Sequence, residues 1–65
     1  KSSVPALARA LNGAEPLVRG HAAWALGRVG GAQARQVLLD ASLAEKQELV
    51  IEEIAAALDD LTKSP

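Results

Sequence analysis

Several residue types are missing from this 65-residue chain, which has no cysteine, methionine, phenylalanine or tyrosine and a single tryptophan, Trp24. The absence of cysteine excludes a disulfide framework, a thiolate nucleophile and a thiolate metal site. Strands favour aromatic and β-branched residues, whereas Ala and Leu, which dominate this chain, are good helix formers. A chain of this length also forms one domain at most, with a small core. The composition therefore predicts a single small all-α domain.

Long apolar stretches are also absent. No apolar run approaches the ~18 residues that a membrane-spanning helix needs, and no secretory signal peptide is recognisable. We therefore expect no membrane association. The chain begins with Lys1 rather than Met, and we expect it to be a piece of a longer protein.

Charge is nearly balanced overall, with a net charge of −1, but it is divided unevenly along the chain. Residues 1–35 contain five basic residues and one acidic residue, whereas residues 36–65 contain two basic and seven acidic residues. The division has two interpretations. Either the basic half faces a polyanion such as a nucleic acid, or the two halves are solvated helix faces of opposite sign.

Hydrophobic periodicity predicts four short helices, at about residues 4–11, 16–29, 32–43 and 47–61. Pro5 and Pro16 fit the first turns of the first two helices, Ser3 is a candidate N-cap, and the pair Gly30–Gly31 ends the second helix. The positions that recur at helical spacing, and are therefore predicted to be buried, are Val4, Leu7, Ala8, Leu11, Val18, Ala22, Ala25, Leu26, Val29, Leu38, Leu39, Leu43, Val50, Ile54, Ala57, Leu58 and Leu61.

Two further features of the sequence predict how the second helix packs and how the fourth helix ends. Gly20 and Gly27 lie inside the second helix, where each costs about 1 kcal/mol against Ala, so we expect a closely packed neighbour at both. Asp59 and Asp60 oppose the dipole at the end of the fourth helix. We therefore expect that end to fray and residues 62–65 to be disordered.

The second half of the chain repeats the first at one fixed offset, without a gap, so that position 7 corresponds to position 39. A period in the range of ~20–50 residues indicates a solenoid, and two helices per unit restrict it to helical repeats. We expect one domain over residues 1–65, made of two helix–turn–helix repeats at about residues 4–30 and 32–61. The matched positions are almost all apolar and include Leu7 with Leu39, Leu11 with Leu43, Val18 with Val50, and Leu26 with Leu58.

The segment Glu15–Gly27, Glu-Pro-Leu-Val-Arg-Gly-His-Ala-Ala-Trp-Ala-Leu-Gly, resembles the second helix of a HEAT-like repeat of the phycobilisome-lyase type. In that family an acidic residue precedes Pro-x-Val-Arg and then Ala-Ala-x-Ala-Leu-Gly. The resemblance implies an all-α, right-handed α-α superhelix of two repeats. It also implies structural roles for Glu15 and Arg19, since the family's arginine bridges acidic positions of neighbouring repeats. In the second repeat Gln47 replaces the acidic residue and Ile51 replaces the arginine, so we expect this ladder to stop after the first repeat.

A narrower resemblance covers residues 19–28, Arg-Gly-His-Ala-Ala-Trp-Ala-Leu-Gly-Arg, which are similar to the C-terminal repeats of epoxyqueuosine reductases. Those are cytoplasmic bacterial oxidoreductases that complete queuosine in the tRNA anticodon loop, and their catalytic region binds cobalamin and two iron–sulfur clusters. The resemblance implies a cytoplasmic accessory module that packs on the catalytic domain of its parent protein or helps to dock tRNA. Because this chain has no cysteine, the cluster ligands have no counterpart, and no cofactor is expected in the chain itself.

Candidate contacts with a partner or with tRNA lie mainly on the second helix. At 100° per residue, one strip beside the predicted core stripe contains Leu17, His21, Trp24 and Arg28. Trp and Arg are enriched in interface hot spots, and both suit base stacking or phosphate contact. Arg9 and Arg35 are further candidates for phosphate contact. The alternative is that Trp24 packs on a neighbouring repeat or on another domain.

No catalytic or metal-binding set is visible in the sequence. His21 is the only histidine, and its strip offers no nucleophile, carboxylate or second metal ligand. The adjacent Glu52 and Glu53 face about 100° apart and cannot flank one substrate atom. Gly30–Gly31 lacks the spacing of a phosphate-binding loop. We therefore expect no catalysis by this chain, whatever its parent protein does.

Two hypotheses for function remain. The first is an accessory module of an epoxyqueuosine reductase-like, tRNA-modifying iron–sulfur oxidoreductase. The second is a generic HEAT scaffold for protein–protein interaction without nucleic acid. Helical repeats usually need ~3 units, because each unit buries its apolar face on its neighbours. Two repeats leave apolar surface at the ends, including Trp24 and Ile51, so we expect a packed partner or self-association.

Overall fold

The computed structural model describes residues 4–13 and 15–63, and these residues form four α-helices. No β-strand occurs within those two ranges, and none of the helices has the length and apolarity that a bilayer crossing requires. The predicted all-α fold with four helices is confirmed. In chain order the helices are α1 Val4–Leu11, α2 Pro16–Val29, α3 Gly31–Ala44 and α4 Glu48–Lys63.

Local signals at the helix ends explain the boundaries of α2. It begins at Pro16, whose fixed φ and missing N–H suit a first helical position, and Glu15 before it has an extended backbone. Only Gly30, at φ 77° and ψ −175°, separates α2 from α3, and Gly31 follows at φ 92°. Positive φ values of this kind strain any residue with a Cβ, so the predicted glycine stop is confirmed. The candidate N-cap Ser3 lies outside the described residues.

The helices pair as two hairpins, α1 with α2 and α3 with α4, and the second hairpin packs on the first mainly through α4 against α2. The core that they share contains no buried polar or charged side chain among the described residues. Burial of apolar surface, at about 25 cal/mol per Å², is therefore the main attraction between the hairpins. The largest fully buried side chains are Leu26, Leu38, Val50 and Ile54.

Helices α2 and α4 approach each other closely at Gly27. A Cβ placed on Gly27 would lie 2.9 Å from the Cβ of Ala57 and 3.1 Å from its Cα, so even a methyl group forces a shift. The expectation of close packing is confirmed at this glycine. It is wrong for Gly20, where a Cβ would meet only the Cγ of Glu53, at an ordinary contact distance of 3.5 Å.

Four residues that the periodicity placed in the core are exposed instead, and they are Val18, Val29, Leu39 and Leu43. Leu43 keeps 88% of its surface and Val18 keeps 46%. Val18 lies two residues, or about 200° of helix, from Gly20, which faces Glu53 of α4. Leu43 lies two residues, or about 200° of helix, from Ala41 of α3, which faces α1. These side chains therefore point away from the other hairpin, on the two outer faces of the stack.

Small residues take the vacated places in the core. Ala23 of α2 and Ala34 of α3 are fully buried, although the periodicity selected neither. Leu7, Leu58 and Leu61 are partly buried and pack against the core. The buried face of α2 is thus rotated toward α4 relative to the prediction, because α4 packs extensively against α2 on that side.

The end of α4 is helical as far as Lys63, so the expectations of fraying and disorder are wrong for Thr62 and Lys63. The Thr62 hydroxyl donates to the carbonyl oxygen of Leu58 at 3.0 Å. Lys63 Nζ lies 3.1 Å from Asp59 Oδ2, one turn earlier. A cation in the last turn also complements the negative end of the helix dipole. Residues 64–65 lie outside the described residues.

Candidate functional site

One solvent-exposed side of α2 carries four exposed side chains, named the α2 strip: Leu17, His21, Trp24 and Arg28. Leu17 is 71% exposed and Trp24 59% exposed. The buried apolar residues of the helix, centred on Ala23, lie on the opposite side. The expectation that the strip lies beside the core stripe is therefore wrong. The four side chains of the strip are exposed to solvent.

Two members of the α2 strip contact each other. The Cζ atom of Arg28 lies 5.6 Å from the centroid of the Trp24 ring, which is within the range of a cation–π interaction. The contact holds two long side chains side by side on the surface. Neither hairpin buries Trp24, so the indole and the guanidinium are both available to a partner.

Two apolar grooves flank the α2 strip, and His21 lines both of them. The terminal groove, about 570 Å³, runs between α1 and α2, and its walls include Leu7, Val18, Ala22, Trp24 and Ala25. The inter-hairpin groove, about 380 Å³, lies between α2 and α4, and its walls include Pro16, Leu17, Leu49, Val50 and Glu53. The strip is therefore a ridge between two apolar depressions.

Arg19 joins the two hairpins on another side of α2. Its Nε donates to Oε1 of Glu45 at 2.9 Å and its Nη2 donates to Oε2 at 3.0 Å. Its Nη1 donates to the carbonyl oxygen of Gly13 at 2.8 Å. The Arg19 and Glu45 side chains are only 16% and 7% exposed. A bidentate pair that is shielded from water in this way is stronger than a pair on the open surface.

Glu45 also orders the turn that leads into α4. Its Oε2 accepts hydrogen bonds from the backbone N–H groups of Lys46, at 3.2 Å, and Gln47, at 3.0 Å. The hydrogen bond from Arg19, helped by these two N–H groups, holds the pKa of Glu45 below its ordinary value of 4.5, although burial acts to raise it. The carboxylate therefore stays charged to a lower pH than an ordinary glutamate does.

The expected stop in the arginine ladder is wrong at the junction between the hairpins. Repeat matching placed the acidic partner of Arg19 at position 47, which is Gln47, whereas the structure supplies the carboxylate two residues earlier, from Glu45. One signal could have found it, because helix N-termini favour negative charge and Glu45 shortly precedes α4. Ile51, which matches Arg19 in the second repeat, has no group that could extend the ladder.

The remaining candidate residues lie apart from the α2 strip. Arg9 is exposed in the last turn of α1, and Arg35 is exposed on α3. Of the exposed arginines proposed to contact phosphate, only Arg28 belongs to the strip. Glu15 is exposed at the start of α2 and makes no capping hydrogen bond through its side chain.

The match to a protein family establishes what kind of domain carries this surface. A model of HEAT repeats matches residues 1–59. The chain belongs to the HEAT-repeat family. HEAT repeats are helical scaffolds that typically mediate protein interactions, and the two hairpins have that architecture. No curated protein and no solved structure matches the chain, so no homologue supports the resemblance of residues 19–28 to epoxyqueuosine reductases.

The described residues of this HEAT domain include no cluster of candidate metal ligands. Within residues 4–13 and 15–63, no group of three or more His, Cys, Asp and Glu side chains is placed to hold a metal ion. The α2 strip instead offers an indole, a guanidinium and a leucine, beside an apolar depression with Glu53 in its wall. The strip and the depression together form an exposed surface that is mainly apolar and carries one charge of each sign.

Proposed function

We propose that this HEAT domain is a docking scaffold, and that a partner protein binds along the α2 strip and into the inter-hairpin groove. The observation that carries the proposal is the exposure of Trp24 and Leu17 on the face of α2 opposite the core. Large apolar side chains held in solvent on a rigid helix are typical of interaction sites. Trp and Arg, which meet here as Trp24 and Arg28, are also the residues most enriched in binding hot spots.

The charges around the strip indicate the chemistry of the partner. The inter-hairpin groove begins at Leu17, and Arg28 lies eleven residues further along α2, or about 16 Å at 1.5 Å per residue. We expect a partner segment that places an apolar side chain in the groove and a carboxylate near Arg28. A segment of this kind gains apolar burial at one end and a charge-assisted hydrogen bond at the other.

Residues 19–28 support one specific setting for this docking. Their similarity to the C-terminal repeats of epoxyqueuosine reductases suggests that the partner surface belongs to the catalytic domain of a tRNA-modifying iron–sulfur oxidoreductase in the cytoplasm. In that setting the parent protein, not this chain, holds the iron–sulfur clusters and cobalamin. The α2 strip then serves as the packing surface between the scaffold and the catalytic domain.

Binding of tRNA through the same strip is the second candidate, and the contact between Arg28 and Trp24 favours it. An exposed indole stacks on bases and a neighbouring guanidinium pairs with phosphate. Glu53, in the wall of the adjacent groove, opposes a polyanion. The electrostatics beside the strip therefore favour a protein partner over tRNA.

A selection from a random peptide library tests the primary proposal. Peptides that bind the domain are expected to combine an apolar anchor with an acidic residue. Their affinity, measured by titration calorimetry, is expected to fall by about tenfold or more, or ~1.4 kcal/mol, in Leu17→Glu and in Arg28→Glu. Arg35→Glu is the matched control, because it makes the same charge change on α3. The proposal would be contradicted if the affinity of the selected peptides fell in Arg35→Glu and stayed unchanged in Leu17→Glu.

A salt series with tRNA separates the two candidates. If the strip docks tRNA, Arg28→Glu reduces the slope of log affinity against log salt by about one unit, and Trp24→Ala weakens binding while the fold, followed by thermal melting, is retained. If affinity and slope are the same in wild type and both variants, tRNA does not bind at the strip. Docking on a catalytic domain is checked by measuring how tightly a purified epoxyqueuosine reductase catalytic domain binds wild type and Leu17→Glu.

A further inference from the structure

The surface of α4 beside the inter-hairpin groove continues the α2 strip onto the second hairpin. At the repeat offset, Leu49 of α4 matches Leu17 of α2. Glu53 matches His21 in the same way, and all four side chains line the groove. The two leucines keep 71% and 76% of their surface. Because this surface runs across both hairpins, another hairpin stacked beside either one would lengthen it without covering it.

The fixed charge in the inter-hairpin groove is negative. Glu53 is the one acidic side chain in its wall, and no lysine or arginine lines it among the described residues. Within residues 4–13 and 15–63, no hydrogen bond or ion pair joins Glu53 to another residue. His21 is the other ionisable side chain of the wall. The exposed carboxylate of Glu53 is therefore accessible to a cation that an occupant of the groove brings with it.

Gly20 sets the position of Glu53 between the two helices. A Cβ on Gly20 would lie 3.5 Å from the Cγ of Glu53, so the stem of the glutamate lies against α2 at a position without a side chain. Leu17 lies three residues before Gly20, about 4.5 Å along the helix axis, and Arg28 lies eight residues after it, about 12 Å. The carboxylate of Glu53 is thus close to the apolar end of the strip and far from the basic end.

An occupant of the groove changes the surroundings of this carboxylate. An apolar side chain seated between Leu17 and Leu49 displaces water from beside Glu53. A carboxylate that loses water without gaining a partner opposes binding. A lysine or arginine next to the apolar side chain replaces the lost water with a charge-assisted hydrogen bond, whereas an acidic residue there adds repulsion.

This reasoning rests on the proposed docking function and specifies the partner. We infer that the groove takes a segment of a partner protein in which a lysine or arginine adjoins the apolar anchor, and that Glu53 selects this residue. The Arg28 guanidinium lies over Trp24, so it is about 6–12 Å along the axis from Glu53, the length of four to eight helical residues. The segment therefore carries its charges in a fixed order, with the cation beside the anchor and the carboxylate at the far end.

Selections from one random peptide library on three forms of the domain test the inference. Wild type is expected to enrich lysine or arginine beside the apolar anchor, and Glu53→Lys is expected to enrich aspartate or glutamate there. Glu52→Lys is the matched control, because it makes the same charge change one residue away, about 100° around α4 and outside the groove wall. It is expected to select as wild type does. Both glutamates are exposed, and circular dichroism checks that the variants remain helical.

Titration calorimetry then measures the preference with one enriched peptide and a second version in which glutamate replaces its cation. Wild type is expected to bind the cationic version about tenfold more tightly. Glu53→Gln, which keeps the shape of the side chain and removes its charge, is expected to abolish most of that ratio. Glu53→Lys is expected to invert it, and Glu52→Lys to leave it close to the wild-type ratio.

The outcomes separate this inference from the docking function on which it rests. Peptides that lose affinity in Leu17→Glu, but carry the same residue beside the anchor whether selected on wild type or on Glu53→Lys, overturn the inference and leave docking in place. A library that yields no peptide dependent on Leu17 overturns both. An affinity for tRNA that rises in Glu53→Lys and not in Glu52→Lys identifies a polyanion as the occupant of the groove and overturns the inference.

Discussion

Arg19 and Glu45, 26 residues apart in the chain, form a bidentate ion pair that bridges the two hairpins, with both side chains largely shielded from water. Arg19 projects from α2, and Glu45 precedes α4 by three residues. The pair therefore fixes the loop before α4 against the loop after α1, where Arg19 also reaches the Gly13 carbonyl. Apolar packing supplies most of the attraction between the hairpins, and this bridge adds a directional polar contact between them.

Removing one partner of the bridge is expected to destabilise the domain. Arg19→Ala and Glu45→Gln should each lower the free energy of unfolding by about 1–3 kcal/mol, because each leaves a shielded group without its partner. A double-mutant cycle measured by urea denaturation should show that the two changes are not additive. The control pair is Lys63 and Asp59, which is open to solvent, and Lys63→Ala should have little effect.

Stability is expected to fall in mild acid because of Glu45. Its pKa in the folded chain lies below the ordinary value of 4.5, so in this range the unfolded chain binds a proton that the folded chain does not. The contribution of the bridge is then fully present above pH 4.5 and is lost as the pH falls through the lower pKa of the folded state. Thermal melts from neutral pH into the acid range should show a smaller acid-induced drop in Glu45→Gln than in wild type.

The two glycines of α2 are expected to respond oppositely to alanine. Gly27→Ala should destabilise the domain, because its Cβ would meet Ala57 at 2.9 Å and push α2 and α4 apart. Gly20→Ala should be neutral or stabilising by up to about 1 kcal/mol, because alanine is the better helix former and the space is open enough. Equal destabilisation of both variants in chemical denaturation would contradict the close approach of the two helices at Gly27.

Truncation of a leucine to alanine is expected to destabilise the domain strongly at a buried position and little at an exposed one. Leu26 is fully buried, and Leu26→Ala is expected to cost about 2–5 kcal/mol through lost burial and the cavity that it leaves. For a domain with so small a core, that loss is expected to abolish cooperative unfolding. Leu17→Ala is the matched control, because Leu17 is 71% exposed, and its melting curve should stay close to that of wild type. A large effect at Leu17 would mean that the strip is buried in solution.

The helices could be predicted from the sequence because their signals are local. Pro16 begins α2, and the helix ends at Gly30 and Gly31, which have positive φ angles. The positions of these residues in the sequence predicted both ends. The family pattern around Arg19 likewise identified a residue that forms a bridge between hairpins. These features depend on a few adjacent residues, so periodicity and turn chemistry are enough to find them.

The burial of particular residues depended on what lies beside each helix, which periodicity does not report. Leu11 and Leu43 occupy matching positions, yet one is buried and the other is almost fully exposed. The difference arises because a solenoid buries a position only where a neighbouring hairpin covers it. Glu45 was missed for a related reason, since its partner Arg19 is distant in sequence and the repeat pattern pointed to position 47.

Trp24, the exposed indole of the α2 strip, also determines how the domain is seen optically. With no tyrosine in the chain, this one side chain supplies essentially all of the near-ultraviolet absorbance and emission. Because Trp24 is 59% exposed in the folded domain, unfolding should change its emission wavelength little, and a fluorescence melt would underreport the transition. A partner that covers the strip should shift the emission to shorter wavelength, so the same side chain is a weak reporter of folding and a sensitive reporter of binding.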